Sequence, residues 1–195
     1  MSNTVEQLNT QLSTEKQSRM LSTLQEDEKF LSFLLAGETY GIGILAIKEI
    51  IEYINVAKIP MVPDYIRGVI NLRGNVLPII DLAKRLDCNS TEINKRTCIV
   101  IVEISSENEI LNIGFLVDSV NEVLDIPAQD IEPAPAFGTS IAPEFIQGLG
   151  RVNGVFLTLL DLQRVLDVEK LSDFEVEFTN NIAAGRTVSR GQKYV

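Results

Sequence analysis

An internal duplication is the feature that most constrains how this chain can fold. Aligned without a gap, residues 63–87 (PDYIRGVINLRGNVLPIIDLAKRLD) and 143–167 (PEFIQGLGRVNGVFLTLLDLQRVLD) are identical at nine of 25 positions. Chance agreement at this composition is roughly one or two positions. A weaker repeat relates YGIGILAIKEIIEY, from Tyr40, to IGFLVDSVNEVLDI, from Ile113. The repeats indicate two related halves, about residues 28–90 and 96–170.

The halves consist of short apolar runs separated by Gly, Pro, Asn and Asp, such as KFLSFLLA, EIIEYI, TCIVIVEI and GVFLTLL. Many short strands with turn residues between them are typical of barrels and sandwiches. Only DLAKRLD and DLQRVLD predict helical turns within the core. A lone barrel the size of one half of this chain buries only ~60% of its unfolded-chain surface and is marginally stable. We therefore predict a mainly β fold of two small barrels packed together, with a groove between them.

The two ends of the chain differ from this pattern. Residues 1–27 are rich in Ser, Thr, Gln and Glu and predict a flexible or marginally helical leader, and residues 172–195 predict a flexible tail. The N-terminus lacks the basic-then-apolar order of a signal peptide, and no apolar run approaches the ~18 residues of a membrane span. With only Cys88 and Cys98, we expect free thiols and a cytoplasmic protein.

Composition excludes several classes of function. The formal net charge is −10, from 17 basic and 27 acidic residues, and Lys and Arg form no dense cluster. Binding to nucleic acid or to an anionic membrane surface is therefore not expected. The chain contains no histidine, which removes the commonest general base, the commonest metal ligand and every Ser-His or Cys-His nucleophile. We predict no catalytic residue, metal site or cofactor.

The duplication also separates scaffold from function, because residues kept in both copies are expected to serve the fold. Asp81 and Asp161 recur, each between an apolar strand and a helical turn. They are open to interpretation as paired catalytic carboxylates or as helix N-caps. Capping is favoured because no histidine or metal cluster accompanies them. The Gly41–Gly43 sequence GIG resembles a fragment of a phosphate-binding loop. It is interpreted as strand, because the helix and the Lys-Ser/Thr pair of such a loop do not follow it.

Arg73 is special to one copy. Its counterpart is Asn153, whose Asn-Gly sequence favours a two-residue hairpin turn. The corresponding turn in the first copy is either Arg73-Gly74 or Gly74-Asn75, so the guanidinium stands at a hairpin tip. One interpretation is a solvated turn arginine. The other is a planar group with five donors, presented to a partner or to an internal carboxylate.

These segments resemble the CheW family of bacterial chemotaxis coupling proteins. The main motif is YIRGVINLRGNVLPIIDL, supported by YGIGILAIKEI, GFLVDSVNEVL, IEPAPAFG and FIQGLGRVNGVFLTLLDL. The resemblance runs in the expected order from about Lys29 to Leu171. It implies a CheW-like domain over residues 28–171, with two five-stranded SH3-like β-barrels and a few short helices. Strands are free to cross between the barrels.

The resemblance also implies a function. It is that of a non-catalytic adaptor that joins the cytoplasmic hairpin tips of chemoreceptors to the regulatory domain of the histidine kinase CheA in membrane-associated arrays. Such a protein is monomeric when free, inserts into no membrane and works without a cofactor. We favour a stand-alone coupling protein over the kinase itself or a CheV-type fusion. A non-flagellar pathway, such as pilus motility or second-messenger control, stays open.

Matching the family's coupling positions to this chain gives Ile47, Glu49, Gly68, Asn71, Arg73, Gly74 and Val123. Arg73 is the motif arginine, Asn71 and Gly74 belong to its hairpin, and Gly68 belongs to the turn leading into it. Glu49 has the counterpart Glu122, so a structural role for its charge stays open. Ile47 and Val123 are contacts only if they are exposed beside the groove, and core residues otherwise.

A rival class is a small-ligand binder or enzyme that uses the groove. Its polar groups would be Asp118, Glu122 and Arg73. A closed pocket with acids of perturbed pKa would favour this class, whereas an open apolar groove would favour the adaptor.

Overall fold

The computed structural model describes residues 27–89, 91–105, 110–135 and 138–166. The predicted leader, apart from Asp27, and the predicted tail lie outside these residues. Among the described residues, no helix is long and apolar enough to cross a bilayer.

Strands dominate the described ranges. In chain order they are β1 (Glu28–Leu35), β2 (Glu38–Gly43), β3 (Ile47–Glu52), β4 (Ile66–Leu72), β5 (Asn75–Asp81), β6 (Cys98–Ser105), β7 (Ile110–Val117), β8 (Ser119–Ile126), β9 (Ile131–Glu132), β10 (Ile146–Val152) and β11 (Val155–Leu160). The short helices α1 (Leu82–Arg85) and α2 (Leu162–Leu166) follow β5 and β11. Single 3-10 turns span Ile44–Ala46, Ala128–Asp130 and Pro143–Phe145.

The strands form two sheets, which confirms the predicted mainly β fold of two packed units. A five-stranded sheet has the order β3-β6-β7-β5-β4, and a six-stranded sheet has the order β8-β1-β2-β11-β10-β9. We call them the first and second barrel. The second has five main strands, and the two-residue β9 adds a sixth. In the first barrel an isolated bridge between Ala57 and Val69 occupies a comparable place beside β4.

The two halves of the sequence exchange hairpins. The β1–β2 hairpin of the first half lies in the second barrel, where β2 pairs in parallel with β11. The β6–β7 hairpin of the second half lies in the first barrel, where β7 pairs in parallel with β5. Each barrel therefore contains strands from both halves of the sequence, and neither half alone forms a complete sheet.

Buried apolar side chains form three clusters. One fills the first barrel, around Ile79, Ile99 and Ile101, and a smaller one fills the second, around Phe30 and Leu159. The largest cluster contains side chains from both sheets and from both helices, and we call it the inter-barrel core. Because burial of apolar surface is the main favourable term in folding, this shared core holds the two barrels together.

Candidate functional site

The site begins with the two-residue turn between β4 and β5. Leu72 pairs with Asn75, so the turn residues are Arg73, at φ 53°, and Gly74, at φ 90°. Two consecutive residues with positive φ are typical of a type I′ hairpin turn. Of the two alternatives left open by the sequence, the turn is therefore Arg73-Gly74. The side chain of Asn71 supports it, since its Oδ1 accepts a hydrogen bond from the Gly74 N–H at 3.0 Å.

Arg73 adopts this backbone conformation against its own preference. The second barrel has the same turn, with Asn153 at φ 50° and Gly154 at φ 81°. Asparagine tolerates the left-handed region, whereas for most L-residues it costs roughly 1–2 kcal/mol. The first copy therefore keeps the turn but replaces its favoured residue by an arginine.

Arg73 forms an ion pair with Glu49. The distance from Arg73 Nη2 to Glu49 Oε2 is 2.9 Å, and the side chains are 78% and 25% exposed, respectively. Because β3 and β4 are the two ends of the first sheet, this pair bridges its edges at the hairpin tip. An exposed ion pair contributes only about 0.2–1 kcal/mol, so its main effect here is to fix the direction of the guanidinium.

The second barrel lacks this pair. The residues that correspond to Glu49 and Arg73 are Glu122 and Asn153, and asparagine carries no charge. The contact of Glu122 with β1 is made by its backbone, whose carbonyl accepts a hydrogen bond from Ser32 Oγ at 2.8 Å. The Arg73–Glu49 site is thus a property of one copy.

The two apolar site residues differ in exposure. Ile47, at the start of β3, is partly buried and packs against the inter-barrel core. Val123, in β8, is 46% exposed, and Ile50, its repeat counterpart in β3, is 42% exposed. Val123 therefore meets the condition of exposure set for a contact residue, and Ile47 meets it only in part. A coupling role for either stays a prediction.

Gly68 is a structural glycine at a different place from the one predicted. It lies inside β4, at a bulge between Ile66 and Gly68, rather than in a turn leading into the hairpin. Its φ is 139°, and an added Cβ would lie 2.1 Å from the carbonyl oxygen of Ala57. The expected turn was wrong because a glycine in a strand also marks a bulge or a close backbone approach, which the local sequence does not distinguish.

The two recurring aspartates cap helices. Asp81 accepts a hydrogen bond from the Lys84 N–H at the start of α1, and Asp161 Oδ1 accepts from the N–H groups of Gln163 and Arg164 at the start of α2. Asp81 is fully buried and lies 3.4 Å from Nη1 of Arg67. The capping interpretation is confirmed.

Two of the three polar groups of the rival ligand-binding class, Asp118 and Arg73, are engaged at separate places. Oδ2 of Asp118 accepts a hydrogen bond from the Ala36 N–H at 2.8 Å, beside the β1–β2 turn. Arg73 is paired with Glu49, on the other barrel. These contacts give no support to a shared pocket of acids and arginine.

Comparison with known proteins gives the family. The model of the CheW-like domain matches residues 29–170, which is most of the chain. The chain belongs to the CheW family. It is a CheW-type chemotaxis scaffold, as its resemblance to the family implied.

The relatives support this membership along their length. The chain is 36% identical over 145 residues to the chemotaxis protein CheW of Klebsiella aerogenes, covering 74% of this chain and 85% of that protein. It is 33% identical over 150 residues to CheW of Bacillus subtilis, covering 77% and 94%. The crystal structure of the scaffolding protein TtCheW from Thermoanaerobacter tengcongensis superimposes with a TM-score of 0.65 at 34% identity, covering 72% of this chain and 88% of that one.

The structure of this CheW-family chain also exposes an apolar pair that sequence reasoning missed. Val155 and Phe156 begin β11, beside the β10–β11 turn, and are 69% and 53% exposed. Their repeat counterparts are Asn75 and Val76, so the second copy is the more apolar at this tip. Comparing the copies for apolar residues gained next to a turn, and not only for charges, would have found them.

Proposed function

We propose that this CheW-family chain is a non-catalytic cytoplasmic adaptor that couples chemoreceptors to the histidine kinase CheA in membrane-associated arrays. The proposal includes Arg73, with Glu49, in the coupling surface. The observation that carries it is Arg73, whose side chain is 78% exposed. The two hairpin turns match in backbone conformation, and only the first has an arginine at this position, at φ 53°.

Stability does not account for an arginine at this position. The backbone conformation disfavours it by roughly 1–2 kcal/mol, and the exposed ion pair returns about 0.2–1 kcal/mol. The arrangement instead exposes the guanidinium in a fixed direction, where a partner can contact it. Glu49 holds one side of the guanidinium, and its remaining N–H groups are available to a partner carboxylate or carbonyl, for which a planar fork of donors is well suited.

Apolar residues provide the rest of the proposed surface. Ile50 and Val123, on β3 and β8, are exposed at equivalent positions of the two barrels and suit apolar anchors of a receptor helical hairpin. Val155 and Phe156 suit a contact with the kinase's regulatory domain. The chain has no tryptophan, a residue enriched among the strongest interface anchors.

We therefore expect each contact to be modest. The expected dissociation constant is micromolar, which corresponds to a binding free energy of about 8 kcal/mol. In an array, linked contacts raise the effective concentration of each partner, so multivalency supplies the stability that single contacts lack. The free protein is monomeric in this proposal, and signalling passes through it as a change in the relative geometry of its partners.

The test is CheA autophosphorylation in a reconstituted mixture of kinase and receptor-containing membranes. The wild-type protein is expected to activate the kinase. Arg73→Asn is expected to leave unfolding free energy within ~1 kcal/mol of wild type, because relief of the backbone offsets the lost ion pair, and to lose activation. Arg73→Ala should also stay folded but lacks that backbone relief.

Arg151→Ala is the matched control, because Arg151, near the end of β10, is also an exposed arginine with an ion pair, to Asp130 at 2.9 Å. It is expected to keep activation. Full activation by folded Arg73→Asn would exclude Arg73 from the coupling surface. Wild-type protein that binds the kinase without activating it would indicate a different receptor pathway, and absence of kinase binding would refute the adaptor role.

A further inference from the structure

A single arginine lies between two aromatic rings from the two barrels. Arg85, the last residue of α1, has its Cζ 4.7 Å from the ring centroid of Phe145 and 5.3 Å from that of Tyr65. Both distances fall within the ~6 Å range of a cation–π contact. Tyr65 directly precedes β4 in the first barrel, and Phe145 directly precedes β10 in the second. The guanidinium therefore contacts both barrels at once.

The duplication makes this arrangement asymmetric. Tyr65 and Phe145 are repeat counterparts, so each barrel supplies its ring from the same position. The counterpart of Arg85 is Val165, which is fully buried in the inter-barrel core. One cation thus serves two equivalent rings, and a second arginine at position 165 would place another charge in an apolar core at a high desolvation cost.

The rings are the neighbours that the structure gives this cation. Nε of Arg85 is buried and has no hydrogen-bond partner, and no ion pair among the described residues includes Arg85. A partly buried charge without a carboxylate partner is unfavourable compared with an apolar side chain of similar length. Packing alone would therefore favour a residue such as methionine at position 85.

We propose that Arg85 is a positioning residue that fixes the orientation of the two barrels through its contacts with Tyr65 and Phe145. Apolar contacts in the inter-barrel core are non-directional, so they favour burial of the two facing surfaces more than one angle between them. The cation–π contacts depend on the distance to both rings, so a rotation that separates Arg85 from one ring is disfavoured. The consequence for signalling rests on the proposed adaptor function, whereas the orientation itself does not.

The direct test is measurement of amide residual dipolar couplings by NMR on the full chain. In the wild type, couplings from the strands of the first and second barrels are expected to fit one alignment tensor. In Arg85→Met, which keeps the length and apolar stem of the side chain, the two barrels are expected to require tensors that differ in orientation or in magnitude. Arg164→Met is the matched control, since Arg164 is an exposed helix arginine paired with Asp161, and it should keep the common tensor.

A conservative variant of Arg85 and a variant of one ring distinguish a positioning role of the cation from a general packing role of the side chain. Arg85→Lys keeps a cation and is expected to restore part of the common alignment, and Phe145→Leu is expected to reproduce the loss seen in Arg85→Met. Combining Phe145→Leu with Arg85→Met should add no further loss. If Arg85→Met does not fold, Arg85→Lys and Phe145→Leu carry the same test. A common tensor in the folded Arg85→Met or Phe145→Leu variant would overturn the proposal.

Kinase activation then provides the functional measurement. If the adaptor function holds, Arg85→Met should still bind receptor and kinase separately but show a several-fold loss of activation in the reconstituted mixture. Full activation by a variant whose barrels have lost their common alignment would overturn the link to signalling. Absence of kinase binding by the wild type would reject the adaptor proposal and leave the NMR result on Arg85 standing.

Discussion

Arg73 and Asn153 occupy the same turn position at nearly the same φ, 53° and 50°, and differ only in chemistry. Asparagine suits the backbone conformation, whereas arginine suits contact with a partner, since its side chain extends far from the turn and carries a planar set of donors. Glu49 makes the difference effective, because it orients the guanidinium from the facing strand. Arg85, which is partly buried, and Val165, which is fully buried, form a second such pair of equivalent positions, where the two barrels meet.

Tyr40 provides a residue-scale prediction on pH dependence. Its side chain is buried, and its hydroxyl donates a hydrogen bond to Oε2 of Glu38 at 3.0 Å. Burial, the main cause, raises the pKa of Tyr40 to about 12 from 10.0. The unfolded chain therefore loses this proton at lower pH than the folded protein, and stability present below pH 10 declines as pH rises towards 12. The decline from this group amounts to about 2–3 kcal/mol.

Urea unfolding of wild type and Tyr40→Phe between pH 8 and pH 11 measures this effect. The variant should lose part of the alkaline decline, because phenylalanine has no proton to lose. Groups other than Tyr40 are the same in both proteins, so their contribution cancels in the difference. Identical slopes of unfolding free energy against pH would contradict the assignment to Tyr40.

At the scale of elements, each β4-like strand is bent by a bulge with a glycine. Register shifts occur between Ile66 and Gly68 in β4 and between Ile146 and Gly148 in β10. An added Cβ at Gly148 would lie 2.8 Å from the carbonyl oxygen of Glu132, in β9. Both copies therefore use a glycine where a neighbouring backbone segment closes on the strand, and this explains its recurrence without a partner contact.

Gly68→Ala tests this structural role against a coupling role. The new Cβ would clash with the Ala57 carbonyl oxygen, 2.1 Å away, and φ is 139°, so we expect a loss of unfolding free energy of about 3 kcal/mol or more. Gly74→Ala is the matched control, because φ is 90° but the space is open, and it should cost about 1 kcal/mol. Denaturant unfolding compares the two. Gly68→Ala with wild-type stability and lost kinase activation would instead assign Gly68 to the coupling surface.

At the scale of the whole molecule, the exchanged hairpins make the two barrels interdependent. The first half of the sequence lacks β6 and β7, which complete its sheet, and the second half lacks β1 and β2. The inter-barrel core also draws on both halves, so separating the barrels would expose apolar side chains of each.

We therefore predict one cooperative unfolding transition for the full chain. Far-UV circular dichroism and near-UV circular dichroism should give coincident urea curves, as two-state unfolding requires. A fragment of residues 28–90 should show no cooperative transition, because it contains two hairpins that belong to different sheets. Two separate transitions, or a folded fragment, would show that the halves are independent.

The sequence by itself determined the features that depend on local pattern. Short apolar runs gave the strands, as in EIIEYI for β3, and the aspartates before LAKRL and LQRVL gave the helix caps. The duplication and the CheW-like motifs gave the family and two packed units, and the comparison of copies selected Arg73. These features are accessible because strand alternation, turn preference and capping act between residues a few positions apart.

Only the tertiary structure decided which segments meet across the fold. It paired β1–β2 with the second half, placed Glu49 against Arg73, and put Arg85 between Tyr65 and Phe145. It also explained why position 68 is a glycine, because the backbone carbonyl of Ala57, 11 positions earlier in the chain, leaves no room for a side chain. An apolar pattern specifies that a face is buried but not what covers it, because the hydrophobic effect is non-directional and the partner is chosen by the packing of the whole chain.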